Sequence, residues 1–393
     1  MGNAIGVPIV WRSAADCATI TLSAGASHSS SSPAFLMTSP SPIGVAVVGA
    51  GLLGSRHARV HHESARAALV AVCDLDPSRA QSVAAQYGCT PYTDAAAMFR
   101  DLGPNGAGAC SAVSIATPDD AHRDVVCEAL TAGFDVFVEK PLAMTVADAD
   151  AMIATAERFG RVLMVNYSQR WLPEHRAIER SIADGLLGEA AFVESHRWDA
   201  ASVPQRMIGS WAHRTTPVHF MSSHDIDLLV HWLGDRVTAV TALAHRGGLA
   251  RQHGLHNVVD GYVAMLQFAR GTVASLHSSW LLPETFPRLA DALLEIHGER
   301  GAVFLGTSAR ELQMYLPNRA ERTTFTGPAT ATEVNGRIEG AFTESLYAFL
   351  DAAALRNVNC ATSAANTRHV VEIQEAILRS AEVGATVRLG SGA

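Results

Sequence analysis

The chain has 393 residues, which at about 150 residues per domain suggests two domains and a remainder. Its 48% hydrophobic and 17% charged residues suit a folded globular protein, and 38 acids against 30 bases (formal charge −8) speak against a nucleic-acid-binding surface. No stretch reaches the roughly 18 uninterrupted apolar residues of a membrane span, and six scattered cysteines with no CxxC fit reduced core positions in a cytoplasmic protein.

Residues 1–42 stand apart. They hold one acid, Asp16, one base, Arg12, and the low-complexity run Ser27-His28-Ser29-Ser30-Ser31-Ser32-Pro33. Such a composition cannot bury enough apolar surface to offset the entropy of ordering. No basic start leads into a clean apolar core, so a signal peptide does not fit, and Gly6 stands where myristoylation wants Ser or Thr. The expectation is a disordered tail or an upstream extension of the reading frame, with Met37 as the natural start.

From residue 43 the pattern changes. Ile43–Val48 is a short β-branched run suited to a strand buried on both faces, and it enters Gly49-Ala50-Gly51-Leu52-Leu53-Gly54, a complete GxGxxG followed by a helix from Ser55 to about Glu63. Gly49 permits a tight turn, Gly51 lets the backbone approach a pyrophosphate, and Gly54 lets the helix pack closely on the strand. A second strand, Ala68–Cys73, ends in Asp74, 20 residues beyond Gly54, where a carboxylate accepts the ribose hydroxyls of NAD and repels a 2′-phosphate. Arg79 keeps NADP as the lesser option. Strand 112–116 then breaks at Thr117-Pro118, and a helix over 121–132 leads to strand Asp135–Val138, which ends in Glu139-Lys140-Pro141. Helix 146–159 and strand Val162–Val165, followed by Asn166, complete a βα alternation that predicts a doubly wound parallel sheet with its ligand at the strands' carboxyl ends.

Beyond it, strand-like runs fall at 191–197, 238–245, 258–269, 272–281, 292–297, 302–305 and 312–316, with Arg270-Gly271 as a hairpin turn. Helices are expected at 173–183, 223–233, 341–354 and 366–380. Few of them connect consecutive strands, so this second sheet should be large, open and mostly antiparallel. The division is a dinucleotide-binding Rossmann domain over 43–166 and a substrate-binding and oligomerisation α/β domain over 167–393.

The segments AVVGAGLLGSRHA (46–58), SIATPDDAH (114–122), VFVEKPLA (136–143) and SHDIDLLVHWLG (223–234) together resemble the glucose–fructose oxidoreductase, inositol dehydrogenase and MocA (Gfo/Idh/MocA) family over nearly all of residues 43–390. The resemblance implies NAD-dependent oxidation or reduction of a sugar, cyclitol or related polyol. It implies cofactor contacts from Gly49, Gly51, Leu52, Leu53, Gly54, Asp74, Thr117, Pro118, His122, Glu139, Lys140 and Asn166. A homodimer or homotetramer is expected, with no nucleic-acid or membrane partner.

An alcohol needs a positive charge beside its forming alkoxide and a base of suitable pKa. Lys140 supplies the charge, and His224, at the start of helix 224–233, is the candidate base because an unperturbed imidazole titrates near neutrality. Arg170, Trp171, His196, Trp198, Arg214, His219 and Asp227 offer the mixture of indole faces and polar groups that a polyol pocket uses. His219, His224 and His231 lack metal-ligand spacing, so no metal is expected. The chain departs from the family where many members carry Asp four residues before this histidine: Phe220 stands there. A redox-assisted glycoside-cleaving enzyme and a catalytically silent NAD-binding regulator are the competing readings.

Overall fold

The structure, a computed structural model, describes residues 41–103, 106, 110–306, 310–327 and 329–390. The expectations for the N-terminal extension therefore lie almost wholly outside the described residues. Residues Ser41–Ala393 form one compact unit.

The first half alternates strand and helix: β1 (Ile43–Val48), α1 (Leu52–Glu63), β2 (Ala67–Cys73), α2 (Pro77–Tyr87), β3 (Thr90–Tyr92), α3 (Ala95–Leu102), β4 (Ala112–Ile115), α4 (His122–Thr131), β5 (Asp135–Val138), α5 (Val146–Phe159) and β6 (Leu163–Val165). Its six strands pair in the order β3-β2-β1-β4-β5-β6, all parallel. The order reverses between β1 and β4, and such a switch point opens a crevice at the strands' carboxyl ends. The central strands are apolar because helices cover both faces. One cluster holds Val113, Ile115, Val136 and Val138, and another holds Val45, Phe137 and Met164 with Phe342, Leu346 and Phe349.

The second half runs α6 (Pro173–Ala183), β7 (Ala190–Ala200), α7 (Ser223–Leu233), β8 (Val237–Arg246), α8 (Gly248–His253), β9 (Val259–Phe268), β10 (Val273–Leu282), β11 (Ala290–Gly298), β12 (Ala302–Gly306), β13 (Glu311–Leu316), β14 (Arg319–Thr324), β15 (Thr332–Val334), β16 (Arg337–Glu339), α9 (Ala341–Leu355), α10 (Ala364–Val383) and β17 (Val387–Arg388). Among the described residues nine strands form one sheet in the order β14-β13-β12-β11-β7-β10-β9-β8-β17, with β7 and β10 its one parallel pair. Between β7 and α7 the chain makes short π- and 3-10-type turns over Val203–Ile208, Gly209–Arg214 and Val218–Ser222. The last helices return to the first half: Ser345 of α9 donates to Asn166 Oδ1 (2.8 Å), and Glu375 of α10 accepts from the Val146 amide (2.7 Å).

Side chains of β7 alternate between the two faces of its sheet. Val193, Ser195, Arg197 and Asp199 point towards α7. Phe192, Glu194, His196 and Trp198 point the other way. The row in register with His196 runs through His277, Val263 (45% exposed) and Leu243 (71% exposed), which identifies that second face as the outward one.

Candidate active site

The glycine turn meets the steric demands its sequence implies. Gly49 has φ +93°, and a Cβ there would sit 2.4 Å from the Ala116 carbonyl oxygen; a Cβ on Gly54 would sit 1.7 Å from the Gly49 carbonyl oxygen. Nothing lies within 4 Å of a Cβ built on Gly51, so its backbone faces open space. No side chain caps α1 at Gly51 and no acid occupies its first turn, which leaves amide N–H groups and the positive helix end for an anion. Leu52 is exposed beside them and Leu53 packs inward against the Phe342 cluster.

Asp74 closes this end. Its two carboxylate oxygens accept from the Ala50 amide (2.7 Å) and the Asp76 amide (2.9 Å), which orients the group at the end of β2 and leaves lone pairs for ribose hydroxyls. Arg79 reaches Asp76 at 3.5 Å instead. The Thr117 hydroxyl is buried at the end of β4 with no partner among the described residues. An open glycine face, a free helix N-terminus, an oriented carboxylate and an orphaned hydroxyl along one line of strand ends fit a dinucleotide.

Three of the residues expected to contact that cofactor also tie its surroundings together. Both His122 ring nitrogens face backbone carbonyls, of Pro141 (2.8 Å) and Thr117 (3.2 Å), so the ring ties the loops after β4 and β5 together. Glu139 Oε1 lies 2.9 Å from His57 Nε2 and accepts from the Asn166 amide at 2.7 Å, and the Asn166 carbonyl oxygen is taken by Ser345. Burial alone would raise the Glu139 carboxyl, but the His57 contact, the Lys140 charge and the Asn166 hydrogen bond outweigh it and hold the group below its ordinary value. The loop that presents Lys140 is thus anchored from below by a buried polar network of His57, Glu139, Asn166 and Ser345.

Lys140, only 9% exposed, precedes the cis peptide to Pro141. Its ammonium donates to the Phe220 carbonyl (2.9 Å) and stands 4.4 Å from the centre of the Phe220 ring. Phe220 therefore meets the lysine with a carbonyl and an aromatic face, where a carboxylate would have made an ion pair. Around this contact sit buried polar atoms with no partner among the described residues: His224 Nδ1, His219 Nε2 and Trp280 Nε1; the Tyr167 hydroxyl is also unpaired, but the charges that act on it are those of Asp227 and Arg170. The Tyr167 ring meets His224 edge-on at 6.3 Å, and Trp280 meets Phe220 in the same way at 6.3 Å. Buried polar groups are normally satisfied, so this concentration marks a place built for a polar ligand. Tyr167 and Trp280 carry no sequence signal, because an isolated aromatic in an apolar run reads as core.

His224 differs from its expected chemistry. Burial first, then the charges of Lys140 and Arg197 and the neighbouring His175, push its pKa well below the ordinary histidine value. The same burial and cationic neighbours favour the neutral imidazole. His219 is likewise lowered, to about 4, by burial.

The structure scatters the remaining expected substrate contacts. Arg170 and Asp227 form a buried bidentate pair (2.7 and 2.6 Å), and the third Arg170 bond goes to the Ala361 carbonyl (2.8 Å); each occupies the other. Trp171 lines a separate cavity of about 380 Å³ with Val60, Pro173 and Tyr347, away from His224. His196 and Trp198 stack on each other (4.2 Å) on the outward face of the nine-stranded sheet. The strand period puts the inward residues one position along, at Arg197 and Asp199. Arg214 bonds Asp120 (2.5 Å) while Thr215 bonds Asp119 (2.6 Å), a clasp between the turn after β4 and the second half. Of the expected set, His219 alone stays beside Lys140 and His224.

Comparison with known proteins shows the family. Residues 43–167 match the model of an oxidoreductase family with an NAD-binding Rossmann fold, and residues 175–304 match the GFO/IDH/MocA C-terminal domain. The inositol 2-dehydrogenase of Rhizobium meliloti is 30% identical over 259 residues, 65% of this chain and 73% of that enzyme. The D-glucoside 3-dehydrogenase of Escherichia coli is 29% identical over 63% of this chain and 72% of its own length. Among solved structures, levoglucosan dehydrogenase in complex with NADH superposes with a TM-score of 0.75 at 23% identity, covering 89% of this chain and 99% of that one, a likeness of fold.

Proposed function

Because this chain belongs to the Gfo/Idh/MocA family of oxidoreductases, we propose that it moves a hydride between NAD and a hydroxyl-bearing carbon of a sugar, cyclitol or glycoside, with Lys140 and His224 gripping the reacting oxygen. Residues 43–166 hold the cofactor and residues 167–393 supply the substrate side. Gly49–Gly54 and the α1 N-terminus would hold the pyrophosphate and Asp74 the adenosine ribose. Bound NAD supplies the nicotinamide that takes or gives the hydride. The observation that carries this reading is the Lys140 ammonium, buried at the end of β5 with the orphaned atoms of His224 and His219 within reach of its charge. In a site this dry, a fixed positive charge stabilises a developing alkoxide far more than it would in water. Neutral His224 orients the hydroxyl through a hydrogen bond. A second copy of the chain would cover the exposed Phe192, Leu243, Val263 and Met265 of the outward sheet face, in a homodimer or homotetramer.

The test is NADH production or consumption against a panel of inositols, aldoses and glucosides. Lys140→Ala and His224→Ala should each lower turnover by about 10²–10³, with NADH affinity, read by fluorescence titration, within two-fold of wild type (about 0.4 kcal/mol). A double variant little worse than the poorer single one indicates that the two act as a unit. Undiminished turnover in Lys140→Ala, or tight NADH binding with no turnover on any polyol in the wild type, defeats the assignment; the second outcome favours a regulatory protein.

A further inference from the structure

Lys140 stabilises the alkoxide as a fixed charge, and burial with the charges of Lys140 and Arg197 lowers the basicity of His224, so a more basic acceptor for the hydroxyl proton is called for. A buried carboxylate lies on the inward face of β7. Asp199 ends the inward-facing row of β7, two residues past Arg197, and is 8% exposed. Arg197 is committed to Asp225 at the start of α7, with bonds of 2.9 and 2.7 Å, which fixes this face of β7 against the element that carries His224. The Asp199 carboxylate makes no hydrogen bond among the described residues. The charged groups that act on it are Arg197, on its own strand, and Lys140, across from it. It is therefore a buried carboxylate, without a hydrogen bond among the described residues, on which the ammonium of the proposed reaction acts electrostatically.

We infer that Asp199 is the proton acceptor of the alcohol oxidation, taking from β7 the position that Phe220 leaves empty of a carboxylate. The inference rests on the hydride-transfer reading of this site. In the oxidising direction the hydroxyl O–H proton passes to an Asp199 oxygen. The carbinol C–H bond breaks with its electron pair transferred as hydride to the oxidised nicotinamide, and the carbon–oxygen double bond forms. The products are the carbonyl compound, the reduced cofactor and a protonated Asp199, which returns its proton to water through its small exposed edge. Burial opposed by Arg197 and Lys140 leaves the Asp199 carboxyl raised to about 6, ionised at pH 7 yet far more basic than an ordinary aspartate.

Asp199→Asn tests this with little change of shape. Turnover with the most active polyol of the panel should fall about 10²–10⁴-fold, and the acid limb of the kcat/KM profile, with its midpoint near 6, should vanish. NADH affinity should stay within two-fold. Infrared difference spectra of the holoprotein with NADH bound, wild type minus Asp199→Asn, give a readout that needs no turnover: a protonated-carboxyl C=O band should appear as the pH falls through about 6. Wild-type turnover or a retained acid limb in Asp199→Asn, while Lys140→Ala is inactive, overturns the role of Asp199 and leaves the lysine reading intact. Wild-type turnover in both variants overturns the site reading itself. Absence of the carboxyl band at every pH overturns the inference independently.

Discussion

Asp199 costs the folded state stability at the pH where the proposed chemistry uses it. Its carboxyl is raised from 3.8 to about 6, so the folded protein holds this proton more tightly than the unfolded chain does. A raised acid lowers stability as pH climbs from about 4 to about 6, and the penalty is complete above that. At roughly 1.4 kcal/mol per pKa unit, the upper bound is about 2–3 kcal/mol at pH 7. Asp199→Asn should therefore melt higher than wild type at pH 7, with the gain gone by pH 4; an equal or lower melting temperature at pH 7 would show that its Arg197 and Lys140 contacts outweigh its burial. Stabilisation by the same change that removes turnover is the expected mark of a strained functional group. Arg170 and Asp227 lie at the opposite pole. Their sequence suggests a pocket, but their mutual bidentate bond makes them a buried brace, and removing either strands the other's charge.

At the level of elements, the glycine turn separates folding from binding. Gly54→Ala drives a methyl group into the Gly49 carbonyl, a contact of 1.7 Å that neither backbone segment can absorb. It should lose several kcal/mol or fail to fold, as overpacking and backbone displacement combine. Gly51→Ala meets nothing within 4 Å, and φ −73° is ordinary for alanine, so the melting temperature should hold. NADH affinity should nevertheless drop at least ten-fold, about 1.4 kcal/mol, because the new methyl group occupies the space of the approaching pyrophosphate. Thermal melts and fluorescence titration of the two variants check both halves, and tight NADH binding by Gly51→Ala would place the pyrophosphate elsewhere. Elements with strong periodicity were legible in the sequence: β1, β4, β5, α5, α6 and α7 lie within a residue of their expected spans. Those that escaped have physical reasons. β14 reads Arg-Ala-Glu-Arg-Thr-Thr on an edge with almost every residue exposed, so it shows no alternation. β3 is a three-residue edge strand containing Pro91.

Over the whole molecule, buried neutral histidines link stability to acid. His61 is lowered to about 3 and His175 to about 4 by burial; His219 is lowered to about 4, and His224 is held well below the ordinary histidine value, by burial and cationic neighbours. In the unfolded chain each would protonate near 6.5. A depressed histidine leaves stability intact above that value and withdraws it as pH falls below, by up to about 1.4 kcal/mol per pH unit for each ring. The raised carboxyls of Asp119, Asp135, Asp199 and Asp227 act in the opposite sense in the lower part of the window. The melting temperature should thus fall from pH 7 towards pH 5.5, with net proton uptake on unfolding measured by calorimetry in buffers of different ionisation enthalpy. A flat profile there would mean that these rings are hydrated in solution.

What the sequence determined by itself was whatever depends on near neighbours along the chain. The βα alternation, the GxGxxG turn, Asp74 at the end of its strand and Lys140 at the end of another all follow from short-range sterics and periodicity. Tertiary structure decided what depends on residues far apart. Phe220 receives a lysine 80 positions earlier, Arg170 finds Asp227 across 57, and the return of α9 ties Asn166 to Ser345 across 179. The face of β7 that meets α7 was also decided there, and with it the exchange of His196 and Trp198 for Arg197 and Asp199. Basicity belongs to the same class. A histidine loses it, and an aspartate acquires it, from the summed burial and charge of distant segments, and no local spacing in the chain encodes that sum.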